Sequence, residues 1–489
     1  MRCALNAVST RFRSRILAHF VMRSEDKPQK SRKKHDLTKG PVRGHLVRLG
    51  IPMTIGIVAV MSAGVVDTFY VSRLGTVPLA AISFCVPVLF ILQSISIGLG
   101  AGASSVVSRA AGEGDHDRVS RLVTDALVLA ILVVAVISVL GVISIDPLFR
   151  LMRAPEELMP GIRDYMSIAF FGAAFIVGPM VAGNLLRALG DARIPGMTMV
   201  FGAVINLVLD PFLIFGIGPF PRMELAGAAL ATVLSNVSAI FIMGWIMVFR
   251  EKLILLHIPP WEELRQSWGA LLRVGLPATG TNMINPVSMS IINAVFVSFG
   301  SAAVAGIGVA GRIEFLFAIP LLALSASIGP LTGQNGGAGL TDRVRQTFRE
   351  AFKIVLIWTS VTGVLLLLLS GFVAKLFSSD PDVIAVTRLY LSVVPLTAAG
   401  YGFVIVTAAG FNALGRPFAG LIMTFGRSLI FSSGGAYIGG HYFGIKGAIA
   451  AFVISNILSG LIAWIWVRRS DMQAHQRNGK KRSSGASAA

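Results

Sequence analysis

Long uncharged stretches constrain this chain more than any other feature. A helix needs about 20 apolar residues to cross the hydrocarbon of a bilayer, and the sequence offers about twelve such segments. They run at 46–72, 79–108, 120–146, 162–188, 196–218 and 225–249, then at 271–298, 302–330, 346–374, 384–413, 418–440 and 445–467. Only 14% of the 489 residues are charged, against about 25% in soluble domains. In lipid every backbone polar group must be satisfied within the protein, which leaves helices or closed barrels, and segments this long and apolar are helices. The expected fold is an all-α polytopic membrane protein with twelve transmembrane helices.

The segments fall into two copies of six. Arg48-Leu49-Gly50-Ile51-Pro52 recurs as Arg273-Val274-Gly275-Leu276-Pro277, 225 residues on. Asp117-Arg118-Val119 recurs as Asp342-Arg343-Val344, and Ala188-Leu189-Gly190 as Ala413-Leu414-Gly415, at the same offset. Gly227-Ala228 with Ser235-Asn236 matches Gly447-Ala448 with Ser455-Asn456 at 220. Repeated offsets of this kind indicate duplication. Six spans per copy is an even number, so both copies enter from one side and are expected to be parallel repeats about an axis along the membrane normal. The expected organisation is a basic tail at 1–45, disordered and cytoplasmic; an N-lobe at 46–250; an interlobe linker at 251–270; a C-lobe at 271–467; and a second basic tail at 468–489.

The net charge of +19 would suit nucleic acid, but its distribution argues for topology instead. Arg109, Arg118, Arg121, Arg187, Arg193, Arg250, Lys252, Arg265, Arg343, Arg345, Arg349, Lys353, Arg416, Arg468 and Arg469 all fall on the side of the tails. By the positive-inside rule that side is cytoplasmic. The other side carries Arg150, Arg153 and Arg163, balanced by Asp146, Glu156 and Glu157. Both termini are therefore expected in the cytoplasm, around a multi-pass protein of the plasma membrane, the inner membrane of a bacterium. Residues 1–22 carry Arg11, Arg13 and Arg15 and no acid, which also fits a transit peptide or a translation start at Met22. Two cysteines, Cys3 and Cys85, exclude a disulfide framework. Neither an H-E-x-x-H or Cys/His metal motif nor a P-loop is present. No enzyme is expected, and transport would be secondary rather than ATP-driven.

Charges inside the spans single out the functional residues. Asp67 is the only charge between Arg48 and Arg73, and Asp210 the only one from Pro195 to Pro219. A carboxylate at such depth costs about 2.5–3.5 kcal/mol on insertion scales, so it faces the bundle interior and marks a pathway, unless it serves only as a helix–helix hydrogen-bond partner. Asn206 lies four residues before Asp210, on the same helix face. Two carboxylates in a dry pocket cannot both stay charged cheaply. They must take up protons or share a cation, so Asp67, Asn206 and Asp210 form a candidate cation or proton site. The second lobe has Arg312 and Glu314 in its second span and Arg427 in its fifth. Glu314 paired with Arg427 or Arg312 is a structural reading of these; a substrate or gating contact is the other.

The run Leu186-Arg187-Ala188-Leu189-Gly190-Asp191-Ala192-Arg193-Ile194-Pro195, with Asn206 to Gly216 after it, resembles the signature of the multidrug and toxic compound extrusion (MATE) family. Val66-Asp67-Thr68 with Arg73-Leu74-Gly75, Gly333-Gln334-Asn335-Gly336 and the two six-helix halves resemble it too, over about residues 46–467. The resemblance implies two lobes forming a V around a central cavity that opens alternately to either side. It also implies export of organic cations or other amphipathic drugs and toxins in exchange for H⁺ or Na⁺, with no cofactor. Family members with an N-lobe cation site place an Asp in helix one, an Asn and an Asp four apart in helix five, and a Thr in helix six, which match Asp67, Asn206, Asp210 and Thr232. Pro52 matches a helix-one proline linked to bending, and the backbone hydrogen bond a proline removes makes a bend there reasonable. Other branches carry a Glu early in helix seven, whereas here Pro277 is followed by Ala278-Thr279-Gly280-Thr281-Asn282-Met283-Ile284-Asn285, without an acid. The chain therefore looks most like the DNA-damage-inducible (DinF-like) branch.

Expected partners are small amphipathic or cationic substrates and membrane lipids, with no nucleic acid, and the protein is expected to be a monomer. The competing reading is a flippase for lipid-linked saccharides of a related fold, which would need several cavity-facing basic residues where only Arg312 and Arg427 are candidates. A membrane-embedded enzyme would need a catalytic pair that is not found, and a channel suits a two-lobe repeat with midplane acids less well.

Overall fold

The computed structural model describes residues 36–255 and 260–486, with side chains through Arg469. The described residues are almost wholly helical. In the first lobe α1 spans Val42–Ser72, α2 Thr76–Glu113, α3 His116–Leu151, α5 Arg193–Phe215 and α6 Glu224–Trp245, with a π turn after it at Ile246–Arg250. Between α3 and α5, α4 is bent, its arms being Met159–Phe171 and Ala173–Ala188. In the second lobe α7 spans Trp261–Val297, α8 Ser301–Gly337 and α9 Thr341–Phe377. The bent α10 comprises Pro381–Val393 and Ala399–Ala413; α11 begins at Pro417–Phe425 and runs through a π-helical stretch, Gly426–Gly434. It continues into the helix Gly435–Ala486, whose backbone breaks at Gly444 (φ 62°, ψ −155°); the arm beyond the break is α12.

Eight of these helices are individually long and apolar enough to cross a membrane, and ten if each bent pair is one span. The break at Gly444 splits the last of them into α11 and α12. Helix α7 is as long as the others but carries Thr279, Thr281, Asn282 and Asn285, which dilute its hydropathy. With it the spans number the expected twelve. The duplication is visible in the shape of the elements: α4 bends by 46° at Gly172 and α10 by 51° at Ala398, at matching places in the two copies.

Some boundaries differ from the sequence expectation. The tail expected at 1–45 lies outside the described residues up to residue 35, and α1 has begun by Val42. In the linker expected at 251–270, residues 256–259 lie outside the described ones, and α7 starts at Trp261. Pro260 ends the extended segment, and Glu262 and Glu263 in the first turn suit the positive end of the helix dipole. At the other end of the chain the backbone stays helical to Ala486.

The lobes meet at one end only. Among the described residues, the side-chain hydrogen bonds across the seam are made by Ser105 to the Asn412 carbonyl (2.6 Å), Gln334 to the Ala188 carbonyl (2.8 Å), Trp268 to the Asp125 carbonyl (3.1 Å), Arg121 to Glu263, and the Leu37 backbone to Gln334, Asn335 and Arg343. All lie at the basic-loop end. There α2 crosses α7 so closely that a methyl group on Gly98 or Gly102 would strike the backbone of Gly275 or Leu271, the small-residue packing common in membranes. At the far end Met61, Val65 and Phe90 of one lobe and Met283, Val287 and Leu316 of the other are exposed. The hydrogen bonds between the lobes thus gather at the basic-loop end.

Candidate functional site

The first lobe gathers its acids from non-adjacent parts of the sequence. Helices α1 and α5 pack through small residues: Gly196 sits against the Pro52 carbonyl, and Gly56 against Gly196 and Met199. Helix α1 runs through Pro52 without a break from Val42 to Ser72. This packing carries Asp67 and Asp210 into one buried region, close enough to feel each other's charge. Asp210 is fully buried and accepts a hydrogen bond from the Asn206 amide at 3.2 Å. Its other oxygen, Oδ2, and Oδ1 of Asp67 are buried with no hydrogen-bond partner.

Tyr165 of α4, only 6% exposed, lies within the field of both carboxylates and packs in the same cluster as Val71, Cys85 and Ile214. Thr232 is placed by helix packing: α6 runs against α5 with Gly227 on Leu213 and Ile214, and with the Ser235 carbonyl facing Gly202. That register brings Thr232 to the level of Asn206, where it is half-buried. The donor set is therefore all oxygen apart from one amide, the chemistry that suits a proton or a hard monovalent cation. A buried carboxylate oxygen without a donor is costly, so a proton or a cation there has two orphaned acceptors to satisfy. Among the described residues no group of three or more His, Cys, Asp or Glu stands ready for a multivalent metal.

The second lobe corrects the expected ion pair. Glu314 accepts its hydrogen bond from the Tyr390 hydroxyl of α10 at 2.5 Å, and not from Arg312 or Arg427. Two residues along a helix lie about 200° apart, so Arg312 and Glu314 face opposite ways on α8 and cannot pair. Arg427 lies 4.4 Å from the Tyr401 ring centroid, stacked on its face, with Nε buried and unpartnered; Glu314 reaches it only as a field. Asn293, one position past the repeat image of Asp67 at the 225-residue offset, is exposed. Arg312 is exposed too, on the α8 face that further along carries Gln334 and Gly337 into contact with the first lobe.

Sequence reasoning missed Tyr165, Tyr390 and Tyr401. A signal existed: the chain has only six tyrosines, and a phenol within an apolar span needs a polar partner.

The model of the MatE family matches residues 52–212 and 277–438, one stretch in each lobe. The chain belongs to the MatE family. An FAD transporter of Shewanella oneidensis is 36% identical over 89% of this chain and 96% of its own length. The probable multidrug resistance protein YpnP of Bacillus subtilis is 28% identical over 83% of this chain and 96% of its own. Among solved structures, a multidrug resistance MATE transporter in its outward-facing conformation superposes with a TM-score of 0.84 at 29% identity, covering 92% of this chain and all of that one. The protein is thus a MATE transporter, not an enzyme, with the two-lobe, twelve-helix fold of that family.

Proposed function

We propose that this MATE transporter is a secondary antiporter that exports amphipathic small molecules in exchange for H⁺, with Na⁺ as the alternative ion. The observation that carries this reading is the pair of buried, donorless carboxylate oxygens, Asp67 Oδ1 and Asp210 Oδ2, on two helices that share the Pro52–Gly196 contact. Proton uptake at Asp210 satisfies its orphan oxygen and removes the repulsion from Asp67. Asn206 holds Asp210, and Na⁺ would add Thr232 as a ligand. Loading the site changes how α1 packs on α5, and α1 also lines the seam. The N-lobe location of both acids supports the DinF-like branch, and the interlobe hydrogen bonds gathered at the basic-loop end support an outward-open state.

The test is dye efflux from proteoliposomes under an imposed pH gradient or an imposed Na⁺ gradient, wild type beside Asp210→Asn. Transport driven by one gradient and lost in the variant identifies the ion. Transport that survives in both Asp67→Asn and Asp210→Asn refutes the assignment. Failure with either gradient shifts the weight to a lipid-linked saccharide flippase.

A second reading concerns charge. Arg312 is an exposed cation of the second lobe, while the acids are sequestered within the first lobe. Together with the FAD transporter at 36% identity, this favours an aromatic substrate bearing phosphate, of the flavin dinucleotide kind, over an organic cation. Competition of FAD with dye efflux, weakened in Arg312→Gln, tests it.

A further inference from the structure

A crevice of about 630 Å³ lies outside the space between the lobes, along the first turns of α1. Its walls are Pro41, Arg43, Gly44, Val47, Arg48, Ile51 and Pro52 of that helix and its cap, closed on one side by Arg193 at the start of α5. The volume falls within the range that holds small ligands, about 300–1,000 Å³. Its chemistry is divided along its length. Arg43 and Arg193 stand at the end where the basic loops lie, and Val47 and Ile51 continue from Arg43 along α1 as an exposed apolar face, with the half-buried Arg48 next to Val47.

That face points away from the protein. Gly50 of α1 turns towards Ser327 of α8, Met53 towards Arg187 of α4, and Pro52 and Gly56 towards α5. Val47, Ile51 and Ile55 are left over, and all are exposed. In a membrane this surface meets lipid. Asp191 accepts from the backbone N–H groups of Arg193 and Ile194 at 2.9 and 3.2 Å, capping α5. The two exposed guanidinium groups of Arg43 and Arg193 beside an apolar groove at the membrane boundary match a phosphate ester above acyl chains, and basic pockets between spanning helices bind anionic headgroups.

We propose that this crevice binds an anionic phospholipid, with its phosphate between Arg43 and Arg193 and its acyl chain along Val47 and Ile51. The same groove is floored by Pro52, whose carbonyl faces Gly196, so the lipid stands on the contact between the two helices that carry Asp67 and Asp210. Occupancy therefore stiffens the α1–α5 pair at its basic end.

The test uses the full-length protein in a neutral detergent and follows its thermal unfolding midpoint as phosphatidylglycerol, phosphatidylcholine or glycerol 3-phosphate is added. Phosphatidylglycerol raises the midpoint in a saturable way, and the other two do not. Replacing Arg43 or Arg193 by Gln raises the half-saturating concentration about fivefold for each arginine, the size expected for one basic residue at an anionic lipid surface. Arg349→Gln, exposed near the start of α9 at the same end, leaves it unchanged. An equal response to glycerol 3-phosphate assigns the crevice to a soluble phosphate and overturns the lipid reading. A phosphatidylglycerol response that persists in Arg43→Gln/Arg193→Gln, or is absent in wild type, overturns the site. If the double variant does not fold, the lipid retained by Arg193→Gln through purification, measured by mass spectrometry against wild type, decides the same question.

Discussion

Asp210 and Glu314 are both membrane carboxylates, yet the structure gives them opposite circumstances. Glu314 has a donor in Tyr390, whereas Asp210 has one amide on one oxygen and nothing on the other. The first arrangement stabilises a lobe, and the second leaves an acceptor for a moving ion. Asp210→Asn should therefore reduce coupled efflux to background while the protein still folds, since an amide fits the same space; efflux from proteoliposomes and the unfolding midpoint separate the two effects. Tyr390→Phe should do the reverse. Leaving the Glu314 oxygen buried without its donor costs about 1–3 kcal/mol, a loss visible in thermal unfolding and largely absent from the Glu314→Leu/Tyr390→Phe pair.

At the scale of elements, glycines decide where helices touch or break. Gly444 holds φ 62° and ψ −155°, a region open essentially to glycine alone. Gly444→Ala should destabilise the joint of α11 and α12 by about 1–3 kcal/mol, measured as a lower unfolding midpoint. Gly102 lies against the Leu271 carbonyl where α2 crosses α7. Gly102→Leu should hold the lobes apart at the basic-loop end, with faster thiol labelling of a cysteine introduced at Ser105 as the measure. The spans were legible in the sequence because hydropathy runs along the chain, and so were the seam glycines as a class of small residues. Their partners were not, since nothing local links Gly102 with Leu271. The extra turns of α7 from Trp261 were hidden by charged residues that suit a helix start as well as a linker.

For the whole molecule, the seam is the moving part. A transporter that alternates must break Ser105–Asn412, Gln334–Ala188 and Arg121–Glu263 to open at the basic-loop end. Bridging Ser105→Cys to Asn412→Cys with a short bifunctional thiol reagent should stop turnover while leaving the other end accessible to substrate. Native cysteines interfere little: Cys85 is buried, and Cys3 can be replaced by Ser. Turnover that continued after complete bridging would mean that the seam stays shut during transport.

The sequence alone determined the class of protein, the number of spans, the duplication and the isolated acids at Asp67 and Asp210. Each of these is written in one dimension, as uncharged length, repeated offset or a charge where lipid forbids one. Tertiary structure alone decided which groups meet. It packed the helices of Asp67 and Asp210 against each other through Gly196 and Pro52, and gave Glu314 to Tyr390 instead of an arginine. Those outcomes depend on helix rotation and packing register, and a rotation of one residue, about 100°, takes a side chain from one neighbour to another.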